Sequence, residues 1–458
     1  MKEKREYEDL AQYAVDQARK SGADAAEAFI TDSQNVEIRV SNRNIESMNA
    51  SSEAGIGIRI LKDQKMISGS SNELLKSSIK NMVSDLMMKV PFHTHDKFNV
   101  IYGKEYGFLE GAWSSYTDFI SYDPKVTEVP VQEKIKRALT LEAAGLNHSP
   151  KVKGAMVVVY SDKASVVYLA NSNGVSGSFP ASGCGGSAQF LAAEGSDHQS
   201  GSKFQAAVKY DDFDPVKVGQ EAAENAVKML GARPIKSCEV PMVVSPDVAV
   251  NLLGYIVGML DADAVQKGKS LFAGKINEPV ASGIMTVIDD GKLKNGLATQ
   301  PVDGEGVPRQ TTPLIVDGVL KTYLYDCYSA KKGKTRSTGN RVRGSYQGVG
   351  GIGSTNLYLK PGNEKSADIF KAIKDGFYLT VAFGLHGGIN NVTGDFSIPV
   401  AGFKIENGQT TFPIRGVNIG GNLFELLKSV DKMGDDLTWI QATGCPTFSV
   451  KSIKIAGV

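Results

Sequence analysis

Near the N-terminus, Gly55-Ile56-Gly57-Ile58-Arg59-Ile60-Leu61 alternates residue by residue, and few architectures can accommodate such a run. Successive side chains of a strand point to opposite faces, so Ile56, Ile58 and Ile60 share a face that must be buried. Period-two signals recur upstream, over 28–31 and over 36–40, where Val36, Ile38 and Val40 oppose Glu37 and Arg39. Lys62-Asp63-Gln64-Lys65 is a polar turn leading into Met66-Ile67. Ahead of the strands, Tyr7, Leu10, Ala11, Ala14, Val15 and Ala18 follow helical spacing until Ser21-Gly22 stops them. A second helix is predicted over 73–88, ending before Pro91. Helix, antiparallel strands, helix makes an α+β unit, not a parallel sheet with crossovers.

A chain of 458 residues needs more than one core. Residues 1–90 form the N-terminal α+β domain, and 91–130 read as a linker-like region. A central α+β region spans 131–235, with a helix over 131–147, a hairpin from 155–160 and 165–170, further strands over 186–193 and 204–210, and a helix over 215–230. Asn171-Ser172-Asn173-Gly174 is a strong turn. Residues 236–458 form a strand-rich C-terminal domain. It opens with a strand over 238–244 and a helix that Ser245 caps and Pro246 starts, running to about 260. A last helix is expected over 423–432.

Several classes of function are excluded early. The 51 basic and 50 acidic side chains leave a net charge of +1, which gives no reason for direct nucleic-acid binding. No run of apolar residues is long enough to cross a membrane. The four cysteines stand apart without a CxxC pair, which fits a reducing, cytoplasmic setting. Gly348-Val349-Gly350-Gly351-Ile352-Gly353 lacks the preceding strand and following helix of a dinucleotide site.

The C-terminal part carries an ordered set of motifs: Asn390-Asn391-Val392-Thr393-Gly394-Asp395-Phe396-Ser397, then Gly402-Phe403-Lys404-Ile405-Glu406-Asn407-Gly408, Pro413-Ile414, and Ile419-Gly420-Gly421-Asn422. Upstream stand Gly339-Asn340-Arg341 and Thr355-Asn356-Leu357. This series resembles the TldE/PmbA branch of the TldD/TldE (PmbA/TldD) peptidase family, also known as modulators of DNA gyrase, and the likeness spans nearly the whole chain. It implies a TldD/PmbA-type fold and a subunit of a zinc metallopeptidase complex acting on unfolded peptides. It also implies a dimer, either with itself or with a TldD-type chain.

In the catalytic branch of that family an HExxxH motif on a helix holds zinc. Alignment on Leu252-Leu253 puts Gly254 and Met259 in the places of the two histidines and Tyr255 in that of the glutamate. Glycine has no ligand atom, and a thioether is a soft ligand ill suited to zinc. The resemblance therefore implies a non-catalytic partner with no catalytic residues and no metal, zinc being expected only in a TldD-type chain. The alternative is a homodimeric peptide-binding or regulatory protein, acting on gyrase or a toxin–antitoxin pair without hydrolysis. His386, Asn390, Thr393, Gly394, Asp395, Ser397 and Asn422 are candidates for a peptide groove, although each is also a turn former or loop residue. His93 and His95 are close enough for a surface metal contact. Cys445 reads as a small buried residue. Lys331-Lys332-Gly333-Lys334-Thr335-Arg336, with Arg341 and Arg343, reads as a solvated basic loop that could meet a partner chain or an acidic peptide.

Overall fold

The computed structural model describes residues 4–103 and 121–458. The helices of the first half are α1 (Lys4–Lys20), α2 (Lys76–Lys89), α3 (Lys125–Glu128), α4 (Val131–Leu146) and α5 (Pro215–Lys228). Its strands are β1 (Ala25–Ser41), β2 (Asn44–Lys62), β3 (Lys65–Ser71), β4 (Val152–Asn171), β5 (Ser176–Glu194) and β6 (Asp197–Ala207). They form one six-stranded sheet in the order β3-β2-β1-β4-β5-β6, with every pair antiparallel. Strand β1 pairs with β4 from Glu27↔Asn171 to Arg39↔Val159, so the segments on either side of 91–130 share a single sheet.

Helices cover one face. The apolar stripe of α1 lies on Ile56, Ile58 and Ile60, as the alternation requires. Further along, Leu141 of α4 and Val218 of α5 bury Ile38, Tyr160 and Phe190. The opposite face, with Phe29, Val167, Leu169 and Phe179, packs against Val302, Val307 and Cys327 of the C-terminal half. Gly55 and Gly57 are small because that half comes close. A Cβ on Gly55 would lie 2.3 Å from the Tyr346 ring, and one on Gly57 would lie 2.2 Å from the Tyr346 carbonyl oxygen.

The C-terminal half adds β7 (Cys238–Val244) and α6 (Pro246–Gly258). Strand β7 runs parallel to Asp375–Ala382 and antiparallel to Phe448–Ala456. Asp375–Ala382 continues through Asp395–Glu406 to Gln409–Asn422, which pairs back onto Phe448–Ala456 and closes the sheet on itself. A second six-stranded sheet contains Val287–Asp290, Thr311–Val316 and Leu357–Leu359. α6 packs between the two sheets in an apolar core that includes Leu253, Ile256, Phe377 and Phe448.

Several local expectations change. The hairpin over 155–170 is a single strand, because Asp162 is not a turn residue. Its carboxylate lies 2.7 Å from the buried Lys134 ammonium and accepts the Tyr160 hydroxyl at 2.8 Å. The two strands over 28–40 are likewise one, β1. The last helix stops at Lys428, and Val430–Met433 is a strand. In the linker-like region Val100, Ile101 and Tyr102 are buried, whereas its middle, 104–120, lies outside the described residues.

Candidate functional site

Helix α6 is almost wholly apolar, so its position is set by burial rather than by propensity. The Ser245 hydroxyl accepts the Val248 N–H at 3.4 Å and caps its start. Leu252, Leu253, Ile256 and Val257 are buried, which leaves Asn251, Gly254 and Gly258 on the exposed strip. Helical spacing of three and four puts these positions on one face. A Cβ built on Gly254 would meet nothing within 4 Å, so this spot is open space. Met259 ends the helix at 3% exposure, turned into the core. The two positions aligned with histidine ligands therefore do not converge.

Tyr255 links the helix to the motif block. Its hydroxyl bonds the Asn391 amide oxygen and donates to the Ile389 carbonyl at 3.3 Å. Its ring lies 5.6 Å from the exposed His386 imidazole, centroid to centroid. Burial pushes the Tyr255 hydroxyl pKa up, so it stays protonated and acts as a donor.

The block itself is a knot of short-range hydrogen bonds. The Asn390 side-chain oxygen accepts the Val392 and Thr393 N–H groups at 2.9 and 3.1 Å, and the Gly394 N–H donates to the Asn390 carbonyl at 2.8 Å. Gly394 has φ +80°, which its lack of Cβ permits. Across the ladder Asp395 faces Asn422. Asn422 caps the helix Leu423–Lys428 by accepting the Phe424 N–H at 3.0 Å, and its amide donates to the Thr393 carbonyl at 2.9 Å and to Asp395 Oδ1 at 3.1 Å. The Asn422 and Thr393 hydrogen bonds hold the exposed Asp395 carboxyl below its usual range. Ser397 faces solvent on the same strand.

The structure thus brings Tyr255, His386, Asn390, Thr393, Gly394, Asp395 and Asn422 into one region. It keeps Met259 out, and it places His93 and His95 elsewhere, both exposed on the turn beside Lys65. Among the described residues no three His, Cys, Asp or Glu side chains converge as a metal site. Cys445 is buried on the strand beneath α6, and burial pushes its thiol up to about 12.

One constellation has no counterpart among the sequence-based candidates. Glu27 of β1, fully buried, receives Arg59 Nη2 at 2.7 Å and Nε at 3.0 Å, and Arg343 Nη1 at 2.9 Å. Arg59 also reaches Glu305 at 3.2 Å, whose other oxygen accepts the Cys327 N–H at 2.9 Å. The Arg343 guanidinium stacks 4.1 Å from the Phe29 ring centroid, and Arg341 pairs with Asp326. Burial alone would raise the Glu27 pKa, but Arg59 and Arg343 outweigh it and the net shift is downward. Burial and Glu305 together push Asp303, nearby and fully buried, up to about 7. Arg341 and Arg343 are therefore not part of a solvated basic loop: they form the seam between the two halves. Beside the seam opens a cleft of about 330 Å³ lined by Arg59, Asp261, Glu305, Asp326, Tyr328 and Arg341. The available signal was Arg59 itself, a charge inside an apolar strand.

Against this geometry stand the likenesses to known proteins. Residues 26–88, 124–230 and 237–457 match, in order, family models described as PmbA/TldA metallopeptidase domain 1, central domain and C-terminal domain. Metalloprotease PmbA of Escherichia coli O157:H7 is 23% identical over 436 residues, covering 95% of this chain and 93% of that protein. A metalloprotease TldD homolog of Buchnera aphidicola (subsp. Schizaphis graminum) is 33% identical over 228 residues, 49% of this chain and 47% of that one. A Bacteroides thetaiotaomicron structure described as a modulator of DNA gyrase superposes with TM-score 0.89 at 25% identity, covering 100% of each chain. TldE from Thermococcus kodakarensis gives 0.86 at 20% identity, over 98% of this chain and 100% of that one.

Proposed function

Because this chain belongs to the PmbA/TldD family of metallopeptidases, we propose that it is a zinc-free subunit that holds unfolded peptides for cleavage by a TldD-type partner. One observation supports this above the others: Gly254 sits over open space while Met259 is buried, so the helix presents no ligand pair. A zinc peptidase site needs protein ligands that converge on the ion and leave one position open for water. Tyr255, hydrogen-bonded to the Asn391 side chain and the Ile389 carbonyl, is a positioning residue between the helix and the motif block. Binding by addition to a sheet edge would read peptide backbone rather than sequence. The protein acts in the cytoplasm as a dimer with itself or with a TldD-type chain.

The test is elemental analysis of purified protein together with hydrolysis of an unstructured peptide. The expected result is no stoichiometric zinc and no cleavage by this chain alone. About one zinc per chain, with cleavage that a chelator abolishes, would overturn the proposal.

A second reading takes its support from the matched structure described as a modulator of DNA gyrase. On that reading a homodimer binds peptides and regulates without hydrolysis. The net charge of +1 argues against direct DNA contact. Cleavage that stays absent when a TldD-type chain from the same cell is added would favour it.

A further inference from the structure

The helices over the first sheet meet its long strands in two separate places. α1 and α2 cover Ala28, Ile30 and Tyr168 toward one end, and α4 and α5 cover Ile38 and Tyr160 toward the other. Between these covers β1 turns Gln34 and Val36 to the same face, where they pair across the ladder with Ala164 and Asp162 of β4. A cleft of about 240 Å³ opens there, against α3 and the first turn of α4.

Its walls are apolar and its floor is not. Val36, Val126, Val129 and Val131 line the sides, and among the described residues the only charged groups lining it are Lys134 and Asp162. These two are 4% and 7% exposed, with the Lys134 ammonium 2.7 Å from Asp162 Oδ2. A second ammonium N–H donates to the Val126 carbonyl at 2.7 Å, which leaves the third. Asp162 Oδ2 also accepts the Tyr160 hydroxyl, whereas Oδ1 accepts nothing among the described residues and is not sealed from solvent. The half-buried Gln34 amide likewise makes no side-chain hydrogen bond among them.

We propose that this cleft binds a primary carboxamide carried on a short aliphatic group. The floor pair is net neutral, so a charged ligand would lose hydration there without gaining a counter-ion. What the floor offers is one donor beside one acceptor, at Lys134 and Asp162. A trans peptide group points its C=O and N–H in opposite directions and reaches only one of them. A primary carboxamide carries both on one edge: its oxygen accepts from Lys134, and its N–H donates to Asp162 Oδ1. The Gln34 side-chain oxygen takes the other N–H, and the valines cover the aliphatic part. A free aliphatic amide and a glutamine side chain of another polypeptide both present this chemistry. The inference is independent of the zinc-free reading, since the cleft lies on the first sheet and α6 in the C-terminal half.

Methyl NMR of valine-labelled protein, titrated with isovaleramide, tests it. The expected result is saturable shifts at Val36, Val126, Val129 and Val131. Isovalerate, isopentylamine and N-methylisovaleramide keep the aliphatic part and change only the polar end, so each should bind at least about tenfold more weakly. Gln34→Leu leaves the Lys134–Asp162 pair intact and should raise the isovaleramide Kd about three- to tenfold. Thr127 is exposed at the rim, so Thr127→Trp blocks the mouth without entering the core. It should abolish the shifts with an unchanged far-UV circular dichroism spectrum. N-acetylglutamine N-methylamide separates the two sources: tighter binding than isovaleramide assigns the site to a polypeptide side chain, and weaker binding assigns it to a free amide. Three results would each overturn the proposal: no saturable shift in the wild type, equal binding of isovalerate or N-methylisovaleramide, or binding that survives both substitutions.

Discussion

Around Asn390 and Asn422, polar side chains reach backbone groups on nearby turns, and most of them stay in water. At the seam, Arg343 crosses 316 positions to meet Glu27, and both are sealed from water. Both regions are polar and both lie where separate elements meet, yet their energetics differ in kind. A solvated cap that loses its partner is rescued by water, so little is lost. A sealed charge that loses its partner has no substitute, so the penalty is the desolvation of what remains. Polar residues on an exposed turn can change at small cost, whereas each member of the seam holds the others hostage.

The sharpest test is Arg59→Met, which leaves Glu27 and Glu305 short of their shared cation. It should cost about 3–5 kcal/mol in urea unfolding, with the loss reported by probes in both halves. A loss under about 1 kcal/mol would mean that the seam is wetter than its burial implies, and the contrast with the motif block would collapse.

Acid probes the same pair without mutation. Arg59 and Arg343 hold the Glu27 pKa below its ordinary value, so its contribution is present above about pH 4.3 and is lost as pH falls through the folded value. Asp303, raised to about 7, works in the opposite sense: its neutral form favours folding, and that advantage fades between the ordinary carboxylate value and 7. The Glu27 part is therefore the difference between wild type and Glu27→Gln. The two melting curves should draw together as the pH drops below about 4. Curves that stay parallel down to acid unfolding would remove Glu27 from the account.

Gly57→Ala tests the seam through shape rather than charge. Its Cβ would fall 2.2 Å from the Tyr346 carbonyl oxygen, so the strand or the 343–347 loop must move, at about 1–3 kcal/mol. An unchanged thermal midpoint would show that this loop yields freely. The smallest effect belongs to the motif block. Asn422→Ala removes one cap and should cost about 1 kcal/mol. Asp395→Ala should cost less, since the carboxylate is exposed and accepts only from Asn422 and Thr393. If either variant kept its midpoint but abolished the cleavage proposed for a mixture with a TldD-type chain, the block would belong to the peptide groove instead.

This contrast also explains how far the sequence could be read. Asn390, Gly394 and Asn422 signal turns and caps through chemistry that acts within a few residues, and the structure uses each of them that way. The helical stripe of α1 and the alternation of β2 were legible because periodicity is a local property. The hairpin expected from 155–160 and 165–170 fails for a related reason: a polar stretch between apolar ones reads as a turn unless its partner is known, and the Lys134 that pairs with Asp162 comes from another element. The same blindness hid the seam. Arg341 and Arg343 sit in a basic, glycine-rich stretch that looks like open loop, and only the fold supplies Asp326 and Glu27. At α6 the identities of Gly254, Tyr255 and Met259 were plain, but the burial of Met259 was not.

The closed sheet of the C-terminal half has a bearing on biosynthesis. The N-terminal sheet has all its strands once Ala207 has left the ribosome. The closed sheet stays open until Phe448–Ala456 slots in beside β7 and meets Gln409–Asn422, so β7 emerges long before its neighbour exists. Such late, non-local pairing is slow and leaves apolar edges bare in the meantime. A nascent chain would carry a finished first half tethered to a second half awaiting its last strand. Glu27 meets Arg59 within the first sheet, whereas Glu305 reaches Arg59 from the second half.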